Sequence, residues 1–558
     1  MSTQIEAILF DMGGTLRGSV KVSQEEKDKA IREIIKLLNA DATVTAFGKM
    51  LAERAEAYKN WAERTLKELS EVELWTKWML PNWPEDLIRV NAIKLNQLYR
   101  DSLSTRVAFP ETYEVIVNLY RRGYRLGLVS NTTSSVEVPA LLRDMHIRGC
   151  FETVILSTVN GKRKPDPNIL LDATERMKID PAKCAYIGDQ PSRDVAAARQ
   201  AGFAKSIIIR HESKANRVVD DDPALEPDHR ITNLKELLAI FPEREPVKPA
   251  KVYNVSFSTM WLKDNFPTLT DFFEFARRSG FSHVELNHKI NSEMLAGINL
   301  KRYSFSSIHE PCPADISMPT LVKRDWLISS LDENLRRKGV EAVKRSVDFA
   351  SQNGISTVVV HPGVVLMDVE LEKQLRSLIQ LGKQDTDEYR TIMRQMREKR
   401  AEMAPAALES VKKSIVELAD TAKMNNVRLG LENRNHFREI PSPDEMEILL
   451  GLDDPSCLGV TFDIGHAMHL ARLGFYSFDE WLKRFSERIF ETHIHDIRGV
   501  IDHFAAGLGE VDFDLVSSYL PENAIRTCEF LDTNSPEEVL AALAYLFEHN
   551  CIRSIKEG

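Results

Sequence analysis

A chain of 558 residues is too long for one hydrophobic core and fits two or three domains. Its 43% hydrophobic and 28% charged residues are ordinary for a globular protein, and a formal net charge of −10 argues against a general polyanion binder, leaving room only for a local basic channel. Six scattered cysteines without a C-x-x-C pair, no run of about 18 apolar residues, and Glu6 and Asp11 near the start predict reduced thiols, no membrane span, no secretory signal and a cytoplasmic compartment.

In chain order, apolar runs predict strands at Ala7–Phe10, Arg125–Ser130, Thr153–Leu156, Ala185–Ile187 and Ser206–Ile209. Helical stretches separate them, the rhythm of a parallel sheet with crossovers. The interval from about Gly18 to Thr105 breaks that rhythm. It reads as a helical insertion whose Trp61, Trp75, Trp78 and Trp83 form the core of a small bundle. The segment FPEREPVKPAK, with three prolines and alternating charge, marks a joint. The expected domains are therefore 1–241 and 251–558, with 242–250 as linker.

In the second domain eight strands are predicted: Tyr253–Ser258, His283–Asn287, Tyr303–His309, Thr357–His361, Arg428–Glu432, Gly459–Asp463, Phe490–His493 and Thr527–Phe530. Amphipathic stretches lie between them, which suits one (β/α)₈ barrel. The longest connection, Leu366 to about Met424, reads as a charged helical pair leaving the site-bearing end, where it could form a lid.

Four blocks of the first domain carry phosphate-type chemistry. ILFDMGGTL puts Asp11 at a strand end beside glycine N–H groups, where a carboxylate can attack phosphorus while a cation screens the charges. LGLVSNT places Ser130 and Asn131 at another strand end, GKRKPDP supplies Lys164 as a point charge for phosphate, and YIGDQPSRD supplies Asp189 and Asp194 as hard ligands for Mg²⁺. In this order and spacing the blocks resemble the haloacid dehalogenase-like hydrolase superfamily over about residues 5–240. The resemblance implies a Rossmannoid sheet with a helical cap at about 18–105, Asp11 as nucleophile, Ser130, Asn131 and Lys164 as phosphate binders, and Asp11, Asp189 and Asp194 around Mg²⁺. One position departs. Phosphatases of this family carry a second aspartate two residues after the nucleophile, as general acid and base; here that position is Gly13.

In the second domain, apolar runs end one after another in a histidine or an acid: His361 in VVVHPG, Glu432 in LGLENR, Asp463 and His466 in VTFDIGH, His493 in FETHIHD, Glu529 in CEFLD. That is how parallel barrel strands read when their C-terminal ends open on a site. His309 and His503 also follow predicted strands. These motifs resemble the xylose isomerase-like superfamily of TIM barrels, which includes the endonuclease IV branch (AP endonuclease family 2), over about residues 251–555. The resemblance implies Glu432, Asp463, His493 and Glu529 as ligands of Mn²⁺, Co²⁺, Mg²⁺ or Zn²⁺, with Glu432 and Glu529 also carrying protons. His309, His361, His466 and His503 remain for a second metal or the substrate. His493 is preferred to His495 because the family's histidine lies three before the aspartate, here Asp496. In the repair branch an aspartate is expected two before His503, where this chain has Ile501.

The leading reading is a bifunctional metal-dependent enzyme of sugar or sugar-phosphate metabolism, its barrel an isomerase or epimerase and its first domain a Mg²⁺-dependent phosphatase or phosphate-binding module. The expected partner is a phosphorylated or sugar-like small molecule, with a homo-oligomer left open, no membrane, and nucleic acid disfavoured by the acidic balance. One alternative is a nucleic-acid repair enzyme with an endonuclease IV-like barrel and an end-processing phosphatase. Another is a non-catalytic first domain serving as scaffold or sensor.

Overall fold

The computed structural model describes residues 4–211 and 222–555. It divides into two compact units, Met1–Val247 and Lys248–Gly558. Among the described residues all six cysteines are buried free thiols, and no helix is long and apolar enough to cross a membrane.

The first unit is built on a six-stranded parallel sheet of β1 (Ala7–Phe10), β4 (Arg125–Ser130), β5 (Phe151–Leu156), β6 (Cys184–Gly188), β7 (Lys205–Ile209) and β8 (His229–Ile231), in the order β5-β4-β1-β6-β7-β8. β1 and β6 are buried throughout, as a sheet covered on both faces requires. β1 lies centrally, with Phe10 opposite Leu128 on one side and Ile187 on the other. Asp11 therefore emerges between two neighbouring strand ends. The insertion is helical from Gln24 to Asp101, but its ends are not. β2 (Arg17–Lys21) and β3 (Ser104–Ala108) pair antiparallel as a two-stranded ribbon joining the insertion to the sheet. Trp75 is fully buried in the insertion's own core, and Trp61, Trp78 and Trp83 pack half-buried against it. The three-residue β8 is too short to stand out as a hydrophobic run in the sequence.

The second unit is a closed barrel of eight parallel strands: β9 (Val252–Ser258), β10 (Phe281–Leu286), β11 (Phe305–His309), β12 (Thr357–Val360), β14 (Arg428–Glu432), β16 (Leu458–Asp463), β17 (Ile489–Ile494) and β20 (Ile525–Cys528). β10 and β20 both pair with β9 and close the ring. β21 (Ser554–Ile555) adds antiparallel to β9. Two further pairings lie in loops, β13 (Gly363–Val364) with β15 (Glu439–Ile440) and β18 (Asp496–Arg498) with β19 (Ile501–Phe504). The long connection is a helical pair, Val369–Gln380 and Asp387–Met424.

Candidate functional site

Glu432 ends β14, Asp463 ends β16, His493 lies near the end of β17, and Glu529 follows β20 by one residue. These four strands are consecutive in the barrel. Their register aligns Asp463 with His493, so the four side chains are delivered to one level. One donor atom from each lies within 4.8 Å of the others, and all four residues are buried. His493 is the hub. Its Nδ1 lies 3.0 Å from Glu432 Oε1, 3.3 Å from Glu529 Oε2 and 3.7 Å from Asp463 Oδ2. Its Nε2 lies 3.1 Å from Glu285 Oε2, on β10.

The other histidines named from sequence flank this group. His309 Nε2 is 3.8 Å and His361 Nε2 3.0 Å from Glu432. Asp463, His466, His495 and His503 form a second set of mutually close donors. His495 Nε2 lies 2.9 Å from Asp463 Oδ1, and the rings of His495 and His503 stack at 4.0 Å. His503 has a left-handed backbone (φ 61°), a conformation that costs a non-glycine residue of order 1–3 kcal/mol. It is held by its N–H donating to His495 Nδ1 (2.9 Å) and its carbonyl accepting from Leu531 N and Asn534 Nδ2 (both 3.0 Å).

Electrostatics sort the cluster into anions and proton holders. Burial opposes ionisation of Glu432, but Arg434 and the imidazoles of His309, His361 and His493 hold its carboxyl well below the usual range. Burial likewise opposes Asp463, and His466 and His495 hold it down. Burial would keep His493 neutral, yet Glu529 and Glu285 push it well up. His503 is raised to about 10 against burial, by Asp502 and Glu529. Glu432 and Asp463 keep their charge and His493 and His503 take up balancing protons, while burial pushes His361 and His466 down. A divalent cation supplies the same charge to the same lone pairs. Three carboxylates and one imidazole fit such an ion.

In the first unit, Asp11, Asp189 and Asp194 also form a set of close, buried donors. Lys164 is fully buried among them, its Nζ 2.7 Å from Asp11 Oδ1, 2.8 Å from Asp194 Oδ1, and donating to Tyr186 Oη at 2.6 Å. Asp194 Oδ2 accepts from the N–H groups of Asp189 and Gln190. Burial opposes its ionisation, while Lys164 and Arg193 hold the carboxyl below its ordinary value. Asp11 Oδ2 is buried without a hydrogen-bond partner, an orphan oxygen of the sort a hard cation takes. Ser130 is buried at the end of β4. Asn131 donates to the Lys164 carbonyl and accepts from its N–H, each at 2.9 Å, so its amide places the lysine.

Residues 5–202 match the model of the haloacid dehalogenase-like hydrolase family, and residues 273–549 that of the xylose isomerase-like TIM barrel family. The two matches fall in succession along the chain, consistent with a fusion of a dehalogenase-like and an isomerase-like domain. The dehalogenase-like domain is similar to glyceraldehyde 3-phosphate phosphatase of Methanopyrus kandleri, 27% identical over 241 residues, 43% of this chain and 98% of that one. It is also similar to haloacid dehalogenase-like hydrolase domain-containing protein 3 of Bos taurus, 31% identical over 149 residues, 25% of this chain and 55% of that one. Among solved structures, a D-tagatose 3-epimerase-like protein matches 53% of this chain and 96% of its own at 22% identity, with a TM-score of 0.38.

Within the xylose isomerase-like barrel, sequence reasoning passed over Glu285 and Arg434. Glu285 lies within β10, FSHVEL, where Ser282 and His283 break the apolar run and Leu286 follows it, so no run ends on it. Asp496, used only as a spacing marker, organises the GLGEV turn. Its carboxylate accepts from the N–H groups of Gly507, Gly509 and Val511 at 3.0, 2.8 and 3.0 Å. Within the dehalogenase-like domain, Lys164→Met would remove the ammonium that pairs with two buried carboxylates, Asp11 and Asp194. A loss of about 3–5 kcal/mol is expected for breaking a buried pair in this way. It is read from the urea midpoint of the domain's transition, with Mg²⁺ recovering part of it.

Proposed function

We propose that the barrel is a divalent-metal-dependent isomerase or epimerase of a sugar or polyol. The dehalogenase-like domain, in the same reading, is a Mg²⁺-dependent phosphatase or phosphate-binding module for small phosphate esters. The observation carrying the barrel reading is the convergence of Glu432, Asp463, His493 and Glu529 from four neighbouring strand ends. A bound Mn²⁺, Co²⁺, Mg²⁺ or Zn²⁺ would polarise a carbonyl and its neighbouring hydroxyl. The chain's own groups do the rest. Glu432 and Glu529 both face His493 Nδ1, and either carboxylate can take a proton from a substrate carbon lodged between them and return it. Asn287 donates to Glu529 Oε1 at 3.1 Å and fixes that carboxylate's orientation. Glu285 grips the far nitrogen of His493 and keeps Nδ1 turned toward the carboxylates. The relationship to an enzyme named for a phosphorylated triose supports a small phosphate ester for the other domain.

The test is solvent exchange. In D₂O, metal-loaded protein is expected to place deuterium on the carbon beside the carbonyl of a pentulose or hexulose or its phosphate, measured by mass spectrometry. No exchange across such a panel overturns the isomerase reading.

One observation favours a second reading. His309, His361, His466, His495 and His503 surround the same carboxylates, and several sets of close donors share them. That abundance of imidazole suits several ions acting on a phosphodiester. Cleavage of a nicked or abasic duplex, with binding that falls steeply as salt rises, would establish it.

A further inference from the structure

Arg434 lies two residues beyond the end of β14, at the rim of the barrel. Its guanidinium contacts Oε2 of Glu432, and Glu439 stands 3.6 Å away as a second anchor. The same Oε2 lies 3.0 Å from His361 Nε2. That nitrogen is buried and, although it faces the carboxylate, makes no well-aligned hydrogen bond. The rings of His361 and His309 are 4.4 Å apart, and His309 Nε2 is 3.8 Å from the other oxygen of Glu432. Two imidazoles beside one carboxylate offer a metal ion N/O donors on the side of Glu432 away from Asp463 and Glu529. The guanidinium already holds the oxygen such an ion would need. Arginine stays charged at every working pH, so it cannot yield by losing a proton, and like charges a few ångströms apart repel strongly in a dry site.

We propose that Arg434 is a fixed internal cation at the His309–His361–Glu432 corner. It keeps a second divalent ion out of that corner and confines metal there to the side formed by Glu432, Asp463, His493 and Glu529. The inference rests on the metal-centre reading above. The consequence is chemical selectivity. An ion confined to one side can grip a carbonyl and hydroxyl pair but cannot share a phosphodiester with a neighbour across Glu432.

The experiment measures metal per chain by elemental analysis after loading full-length protein with Mn²⁺ or Zn²⁺ and desalting. Wild type, Arg434→Lys, Arg434→Met, Arg434→Gln, Arg434→Met/His361→Ala and Glu529→Gln are compared, with circular dichroism confirming that each is folded. The dehalogenase-like domain contributes equally to all and cancels in the differences. Arg434→Met and Arg434→Gln are expected to bind about one more ion than wild type, as an opened N/O site should. Arg434→Lys keeps the charge and should gain nothing, and the double variant should return to the wild-type value. Gln keeps a donor for Glu432, so it tests the loss of charge even where Met disturbs the fold. Equal metal in wild type and both neutral variants overturns the inference, as does a gain that survives His361→Ala. If Glu529→Gln binds as much metal as wild type, the metal-centre reading itself falls, and this inference with it.

Discussion

Glu529→Gln is expected to abolish barrel-dependent metal binding at micromolar metal and to lower any isomerase or epimerase turnover about 10³-fold. The estimate takes several kcal/mol of electrophilic stabilisation at 1.36 kcal/mol per decade. Glutamine keeps the volume and the hydrogen bond with Asn287 Nδ2, so the fold should survive. What it loses is the anionic charge 3.3 Å from His493 Nδ1 and 3.6 Å from His503 Nε2. Elemental analysis and the deuterium-exchange assay read the two losses separately. Glu285→Gln makes the informative contrast. It meets His493 on the ring nitrogen turned away from Glu432 and Glu529, so it should weaken metal binding about 10- to 100-fold, the usual effect of removing a group that orients a ligand. Equal metal content in wild type and Glu529→Gln would remove the barrel centre as a metal site.

Much of this arrangement was legible in the sequence because strand ends are. The runs ending at Glu432 and Asp463 stop where β14 and β16 stop. His361 and Glu529 fall one residue beyond their strands, where a polar side chain leaves the ladder. The glycine of FDIGH also has a physical reason: a Cβ at Gly465 would lie 2.0 Å from the His495 ring. Other features depend on which strand lies beside which, and a hydrophobic pattern is blind to that. Glu285 matters only because β10 brings it against the far nitrogen of His493. Arg434 lies beyond the end of its strand, and only the fold sets it on Glu432. The ribbon of β2 and β3 joins segments more than eighty residues apart, and Arg17–Lys21 carries no alternating pattern to announce it.

Gly13→Asp is expected to raise phosphate-ester hydrolysis by the dehalogenase-like domain by at least about 10²-fold, within the 10²–10⁴ that a positioned general acid and base contributes. The position is open. A Cβ built there meets nothing within 4 Å, and only the next residue, Gly14, needs the left-handed backbone (φ 91°). The side chain would stand two residues from Asp11, where it can protonate a departing alkoxide and later deprotonate water. The gain should therefore depend on the leaving group. An alkyl phosphate, whose alkoxide leaves badly, should gain more than an aryl phosphate, whose phenoxide needs less help. Steady-state phosphate release from both, in excess Mg²⁺, measures this. Gly13→Asp/Asp11→Asn must lose the gain, because the added acid has no nucleophile to assist. A silent wild type joined to an active Gly13→Asp would identify the domain as a phosphate-binding module one side chain away from hydrolysis. An inert Gly13→Asp, folded and Mg²⁺-loaded, would mean that Asp11, locked to Lys164 at 2.7 Å, holds this domain together as a scaffold rather than attacking phosphorus.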